Sequence, residues 1–246
     1  MMTMASYRMR STVEENRLGF VWFVLRPSLD ALIYGVVFGI LQGASRPPNY
    51  VAYVVTGVFL FSFFKQSFTD GAQSIVSSRT LVQSLAFPRV TLPLSRVVED
   101  LLGVLPAMAI LPFILLIVHQ PPRVSWLLMI PLLLIYFLFN AGMAMIAARL
   151  TVHMRDLNQM VPVISRVLFY SSGVLFNVNT IFKHHPKVIT LYDYHPLYQV
   201  LSIARGLMLG NPYPLHYWLY FTAFSVVAFV GGLVFFWRAE ELYGRQ

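Results

Sequence analysis

The chain has 246 residues, 57% of them hydrophobic and only 11% charged, with a mean hydropathy of +0.66, which excludes an ordinary water-soluble domain and makes a bilayer its solvent. Eighteen Lys and Arg against ten Asp and Glu leave a net charge of +8; the basic residues sit in short segments between apolar runs, so the charge fits a membrane surface and not nucleic acid. With no cysteine there is no disulfide, no thiolate metal site and no cysteine nucleophile.

Residues 1–19, with Arg8, Arg10 and Arg17 among Glu14 and Glu15, suit an interfacial helix. Six membrane spans are expected after it, at 20–41, 47–68, 97–118, 124–148, 157–182 and 217–237. They read as helices because they are apolar all round, without the two-residue alternation of a barrel strand. The first and fifth are interrupted by charge, Arg26 and Asp30 in one and Arg166 in the other, and an ionisable group inside a span marks a functional or membrane-surface end. The first apolar run begins only at Phe20 and lacks a small-residue cleavage pattern after it, so it is expected to be retained as a span.

Orientation follows from the basic residues. With the N-terminus cytosolic, Arg8, Arg10, Arg17, Arg79, Arg89, Arg96, Arg149, Arg155, Arg238 and Arg245 fall inside, and Arg46, Arg123, Lys183, Lys187 and Arg205 outside. An even number of spans then puts the C-terminus inside as well.

Two connections are unlike plain turns. In the loop over 70–95, Leu81, Val82 and Leu85 fall at helical spacing, so a short amphipathic cytosolic helix ending near Pro88 is expected. The segment 183–216 is too polar and proline-rich to cross a bilayer, yet Leu197 to Leu209 has a helical pattern. One or two short helices dipping into the outer leaflet are expected there, with turns at His195-Pro196 and at Gly210.

Catalytic constellations are missing. No Gly-x-x-x-x-Gly-Lys-Ser/Thr occurs, so any ATP hydrolysis by a P-loop belongs to another chain, and the chain is not expected to be an enzyme. His184-His185 beside two lysines reads as a solvated loop and not a metal site. Arg166 has two readings: with Tyr170 and Asn177 it lines a polar pathway, or it snorkels to inner headgroups or pairs with Glu99 or Asp100. Glu99 and Asp100, just after Arg96, read as salt-bridged at the membrane surface. The aromatics Phe59, Phe61, Phe63, Phe64, Phe68, Phe169, Tyr170 and Phe176 suit lipid contact or a conduit on which sugar rings stack.

Several motifs, in order, carry a resemblance: Arg17-Leu-Gly-Phe-Val-Trp-Phe-Val-Leu-Arg-Pro27, Phe87-Pro-Arg-Val-Thr-Leu-Pro-Leu-Ser95, Met154-Arg-Asp-Leu-Asn-Gln-Met-Val-Pro162, Tyr194-His-Pro-Leu-Tyr198 and Arg205-Gly-Leu-Met-Leu-Gly210. Over nearly its whole length the chain resembles the permease subunits of ABC-2 type polysaccharide exporters, which move lipid-linked O-antigen, teichoic acid and galactan chains. It departs from them at His195, where the family usually has Asn, and at His153-Met154, where aromatics often precede the Arg-Asp pair.

The resemblance implies an all-α integral membrane protein of the bacterial cytoplasmic (inner) membrane, residues 1–246 forming one transmembrane domain. It implies a homodimer on two copies of a P-loop ATPase subunit, with ATP and Mg bound there and no cofactor on this chain. Arg79, Leu81, Leu85, Phe87, Pro88 and Arg89 would form the coupling segment. The first and fifth spans would flank the pathway, with Tyr34 and Phe38 joining Arg166, Tyr170 and Asn177. Tyr194, Pro196, Tyr198 and Arg205 would build the outer gate, and Arg8, Arg10 and Arg17 would meet a lipid diphosphate or anchor at the interface. The implied cargo is a lipid-linked polysaccharide, galactan being one candidate. An ABC-2 exporter of a small lipid or drug, and a membrane-embedded transferase, are the alternatives.

Overall fold

The computed structural model describes residues 21–43, 47, 49–78, 87–154 and 156–239, and every regular element among them is helical. In chain order these are α1 (Val21–Gln42), α2 (Tyr50–Gln73), α3 (Thr91–Ile117), a 3-10 turn (Val124–Leu128) leading into α4 (Met129–His153), α5 (Leu157–Ser171), the short α6 (Val178–Ile181), α7 (Pro186–Asp193), α8 (Pro196–Leu209) and α9 (His216–Trp237). Short 3-10 pieces such as Val76–Ser78 end α2. The interfacial helix expected over residues 1–19 and the amphipathic helix expected around Leu81 and Leu85 lie outside the described residues.

Four helical runs among the described residues are long and apolar enough to cross a membrane: α2, α3, Val124–His153 and α9. α1 has a spanning length, 22 residues, but carries Arg26 and Asp30. α5 has only 15 residues, about 22 Å of helix against a hydrocarbon core of roughly 30 Å. The single helix expected over 157–182 is therefore replaced by a helix that stops at Ser171 and a chain that turns away. The expected loop over 70–95 is shorter, because α2 continues to Gln73 and α3 begins at Thr91. Pro93 lies in the first turn of α3, where a missing N–H costs no helical bond, and Asp70 and Asp100 face each other across α2 and α3.

α2 is the central helix. Within its membrane window 78% is buried, against 22% for α9 at the periphery. Lipid tails are as apolar as the side chains, so such burial stabilises through close packing more than through removal from water. Phe59, Phe63 and Phe64 are fully enclosed; Phe63 meets Tyr136 edge-on at 5.5 Å, and Phe64 stacks on Phe68 at 5.5 Å and on Phe139 at 6.1 Å. These rings are therefore core, neither lipid-facing nor lining a sugar conduit. Backbones approach where residues are small: a Cβ on Gly142 would lie 2.3 Å from the Ala228 carbonyl, and one on Gly71 would lie 2.4 Å from the Ala144 Cβ. These two contacts fix α4 against α9 and against α2.

α5 ends because Gly173 adopts φ +70, a left-handed turn that side chains other than glycine rarely take. Residues 173–176 then run without helical bonds, and each of their four carbonyls is met by a side chain from elsewhere. Gly173 O accepts from Arg205 Nη1 (2.9 Å) and the Tyr53 hydroxyl (3.3 Å), and Val174 O from Arg205 Nη2 (2.6 Å). Leu175 O accepts from Gln42 Nε2 and the Tyr50 hydroxyl, both at 2.9 Å, and Phe176 O from the Tyr53 hydroxyl (2.8 Å). Arg205 also donates Nε to the Tyr53 carbonyl (3.4 Å), and its guanidinium lies 3.4 Å over the Tyr53 ring. The guanidinium needs the space left by Gly57, where a Cβ would stand 2.5 Å from Nη2.

Beyond the break and the single turn of α6, residues 183–216 form two helices, α7 and α8, within the one or two that the proline and glycine punctuation predicts. Pro186 and Pro196 start α7 and α8 in the first helical turn. At the N-cap of α8, His195 Nδ1 accepts the Tyr198 backbone N–H (3.3 Å). At its other end Gly210 turns left-handed, while the Leu207 and Met208 carbonyls accept from Ser125 Oγ (2.7 Å) and Trp126 Nε1 (3.1 Å). α8 is thus tied to the start of α4 and, through Arg205, to α2 and the break.

Two predictions follow from these fastenings. Arg205→Met strips the Val174 carbonyl of its partner in a buried site, so thermal or denaturant unfolding in detergent should show a loss of about 3 kcal/mol, with Gly57→Ala lowering stability in the same direction. His195 caps α8 as neutral imidazole, and burial lowers its pKa from the ordinary histidine value. The unfolded chain therefore takes up the proton first, and stability should fall as pH drops below about 6.5. His195→Asn keeps a capping oxygen and should remove that part of the pH dependence in Tm measured from pH 8 to pH 5.

Candidate functional site

A cavity of about 500 Å³ opens between α1, α2 and α5. Helical spacing puts its lining on one face of each helix: Arg26, Asp30 and Tyr34 at intervals of four on α1, Phe61, Ser62, Lys65 and Gln66 on α2, and Pro162, Ser165, Arg166 and Phe169 on α5. Apolar stretches surround it, so its charges can be held only because the cavity walls are protein and its interior is open. Its aromatic side is a run of touching rings, with Tyr34 4.9 Å from Phe169 and Phe169 5.1 Å from Phe61.

Of the residues expected to line a pathway, Tyr34 and Arg166 do line this cavity. Phe38 follows Tyr34 one turn along α1, with ring centroids 6.5 Å apart, and Tyr170 is exposed beside Phe169 (5.4 Å). Asn177 does not join them. It lies beyond the break, where its side chain caps α6 by accepting the Asn179 N–H at 3.0 Å. The two carboxylates offered as alternative partners for Arg166 are engaged elsewhere: Glu99 pairs with Arg96 at 3.3 Å, and Asp100 lies against Asp70 and Ser67. Arg26, Asp30, Lys65 and Ser165 complete the cavity and were not among the expected pathway residues. Arg26 and Asp30 carried a signal, charge inside an apolar run, but Lys65 sits near the end of its span and reads as an ordinary boundary residue.

The expected outer-gate residues divide into two kinds. Tyr194 is exposed and stacks on Tyr220 at 6.0 Å, and Pro196 opens α8. Tyr198 and Arg205 are buried, Tyr198 meeting Tyr192 edge-on at 5.3 Å. Asp193 receives the Tyr217 hydroxyl and, through its carbonyl, Gln199 Nε2 (2.5 Å), so α7, α8 and α9 are tied to one another.

At the opposite end, Phe87, Pro88 and Val90 with Leu233, Phe236 and Trp237 line a groove of about 470 Å³, and Arg89 precedes α3. Ile75, Leu92, Met145, Ala148 and Phe236 form a second small core beneath it. Arg149 donates to the Phe235 carbonyl and lies 3.8 Å over the Phe235 ring, which ties α4 to the last turn of α9. Arg79, Leu81 and Leu85 of the expected coupling segment, and Arg8, Arg10 and Arg17, lie outside the described residues.

Among proteins of known role, the chain is similar to an O-antigen export system permease protein RfbA of Klebsiella pneumoniae, 29% identical over 226 residues, which is 91% of this chain and 85% of the relative. A second RfbA of Klebsiella pneumoniae is 28% identical over 88% of this chain and 83% of its own length. The RfbA of Myxococcus xanthus is 25% identical over 80% of this chain and 75% of its own. The profile of the ABC-2 type transporter family matches residues 1–209, which take in the cavity, the break and the whole of α8. The protein belongs to the ABC-2 type transporter family.

Proposed function

We propose that this chain is the permease subunit of an ATP-driven exporter that moves a lipid-linked polysaccharide across the cytoplasmic membrane, with galactan a candidate polymer. The observation that carries the reading is the similarity to O-antigen export permeases over nine-tenths of the chain. The cavity supports it, because a route for a lipid-linked glycan needs cationic groups for its phosphates and aromatic faces for its sugars.

In this reading α1, and α5 together with the chain beyond its break at 173–176, complete a set of six crossings, with both termini cytosolic. The Arg205 end of the bundle is then the outer side, where α1 ends and α2 and α9 begin. Two copies assemble with two P-loop ATPase subunits that hold ATP and Mg. Arg79, Leu81, Leu85, Phe87, Pro88 and Arg89 form the coupling segment; Phe87 and Pro88 lie against the end of α9, so a push on this segment reaches a membrane helix directly. The unit of α7 and α8, with Tyr194, Pro196, Tyr198 and Arg205, acts as the outer gate. Arg8, Arg10 and Arg17 meet the carrier lipid at the inner surface.

The test is affinity purification of the full chain from solubilised native membranes, beside a variant with Leu81→Asp and Leu85→Asp. A P-loop ATPase is expected with the wild type and should be lost from the double variant. Absence of any ATPase from both samples would sink the exporter reading in favour of a membrane-embedded transferase.

A further inference from the structure

A second polar cluster lies between α2, α3 and α4. Asp70, in the last turn of α2, faces Asp100 in the third turn of α3, and their side chains stand in hydrogen-bond contact. Ser67, one turn before Asp70 on the same face of α2, lies against Asp100. Asn140 of α4 comes to the level of Ser67. The close approach of Gly71 to Ala144 sets the register of α2 on α4, and Ser67 and Asn140 each stand one turn before their neighbour in that contact. Asp100, Ser67 and Asn140 are buried, while Asp70 is partly exposed. Four polar atoms of this cluster have no hydrogen-bond partner: Ser67 Oγ, Asp100 Oδ2 and both amide atoms of Asn140. Neither Asp70 nor Asp100 is in an ion pair among the described residues, and Arg96, whose charge reaches both, is paired with Glu99.

Two carboxylates face to face among apolar helices are unfavourable unless a proton or a cation joins them. A shared proton would satisfy the carboxylates alone and leave the serine hydroxyl and the asparagine amide bare, whereas a hydrated cation satisfies all of them.

We propose that this cluster binds a divalent cation of the magnesium class, with Asp70 and Asp100 as carboxylate ligands, Ser67 Oγ as a neutral ligand and Asn140 holding metal-bound water. Two carboxylates balance two positive charges, and carboxylate, hydroxyl and amide oxygens are the ligands a hard cation takes. Adjacent ligands of an octahedral Mg²⁺ at about 2.1 Å stand about 3 Å apart, which is also the separation of two oxygens in hydrogen-bond contact, so the pair needs little movement to take the ion. The bound ion joins the last turn of α2 to α3, the helices on either side of the 74–90 loop. That this loop carries a coupling segment rests on the exporter reading; the cation site itself does not.

The probe is Mn²⁺, which takes the same ligands and whose free form is counted by electron paramagnetic resonance. The full chain, with any subunit that co-purifies, is stripped with EDTA in nanodiscs of neutral lipid and titrated without nucleotide. Wild type should bind Mn²⁺ and release it to Mg²⁺ but not to Na⁺ or K⁺. Asp70→Asn and Asp100→Asn should each weaken binding about ten-fold or more, and Ser67→Ala about three-fold. Arg96→Gln should tighten it about three-fold, since it removes a like charge. Asp156→Asn, at an exposed carboxylate before α5, should change nothing. Mg²⁺ should raise the Tm of wild type and not that of Asp100→Asn. Without metal, Asp100→Asn should melt at or above wild type, because one of two facing charges is gone. That result and the gain in Arg96→Gln separate a lost ligand from a folding defect.

Equal Mn²⁺ affinity in wild type and Asp100→Asn, no binding to wild type, or displacement by Na⁺ as readily as by Mg²⁺ would overturn the proposal. The comparison is between variants of this chain and needs no ATPase, so the two readings fail separately.

Discussion

The structure depends on four carbonyls. A helix that ends within a membrane protein exposes backbone oxygens which hydrocarbon cannot satisfy, and each left bare carries a penalty of several kcal/mol. Residues 173–176 present that problem, and the answer comes from three other parts of the chain: Gln42 at the end of α1, Tyr50 and Tyr53 at the start of α2, and Arg205 in α8. Because one arginine serves both the break and α2, the position of α8 is fixed by the same bonds that allow α5 to stop. Among the described residues Arg205 has no carboxylate partner; its charge is met by carbonyl dipoles and by the face of Tyr53.

The break shapes the rest. A short α5 leaves its first three turns against α1 and α2, and there the cavity forms. Had the helix continued to residue 182, Asn177 would have extended the line of Arg166 and Tyr170; the turn at Gly173 sends it to cap α6 instead. Around this open side the bundle is closed elsewhere by small residues and interlocked rings. The Gly142 contact with Ala228 and Gly232 brings α4 and α9 together, and the ring cluster from Phe63 through Tyr136 to Phe221 fills the space between α2, α4 and α9. Arg26, Asp30, Lys65 and Arg166 come together where α1, α2 and α5 meet.

Much of the site was legible in outline. Charge inside apolar runs marked Arg26, Asp30 and Arg166, and punctuation by Pro186, Pro196 and Gly210 marked the two short helices. The partnerships were not legible. Arg205 was marked as a gate residue by the resemblance of its motif; that it is buried, with Tyr53 as a partner 152 residues away, no local pattern told. By sequence the phenylalanines of α2 suit lipid contact or a sugar conduit, and most of them are core instead, since hydrophobicity alone does not say which neighbour a side chain meets. Lys65 carried no signal, because a lysine near the end of a span is the commonest of boundary residues.

The sequence by itself determined that the chain lives in a membrane, that its elements are helices, and where its long apolar runs and its proline-punctuated segment lie. These properties are sums over neighbouring residues, so a local reading captures them. The tertiary structure decided that α5 stops at Ser171, that Arg205 fastens the break, and that Arg26, Lys65 and Arg166 share one cavity. Each of those rests on residues from separate helices, whose meeting is set by packing and by the need to satisfy every buried backbone group, and no stretch of chain carries that information alone.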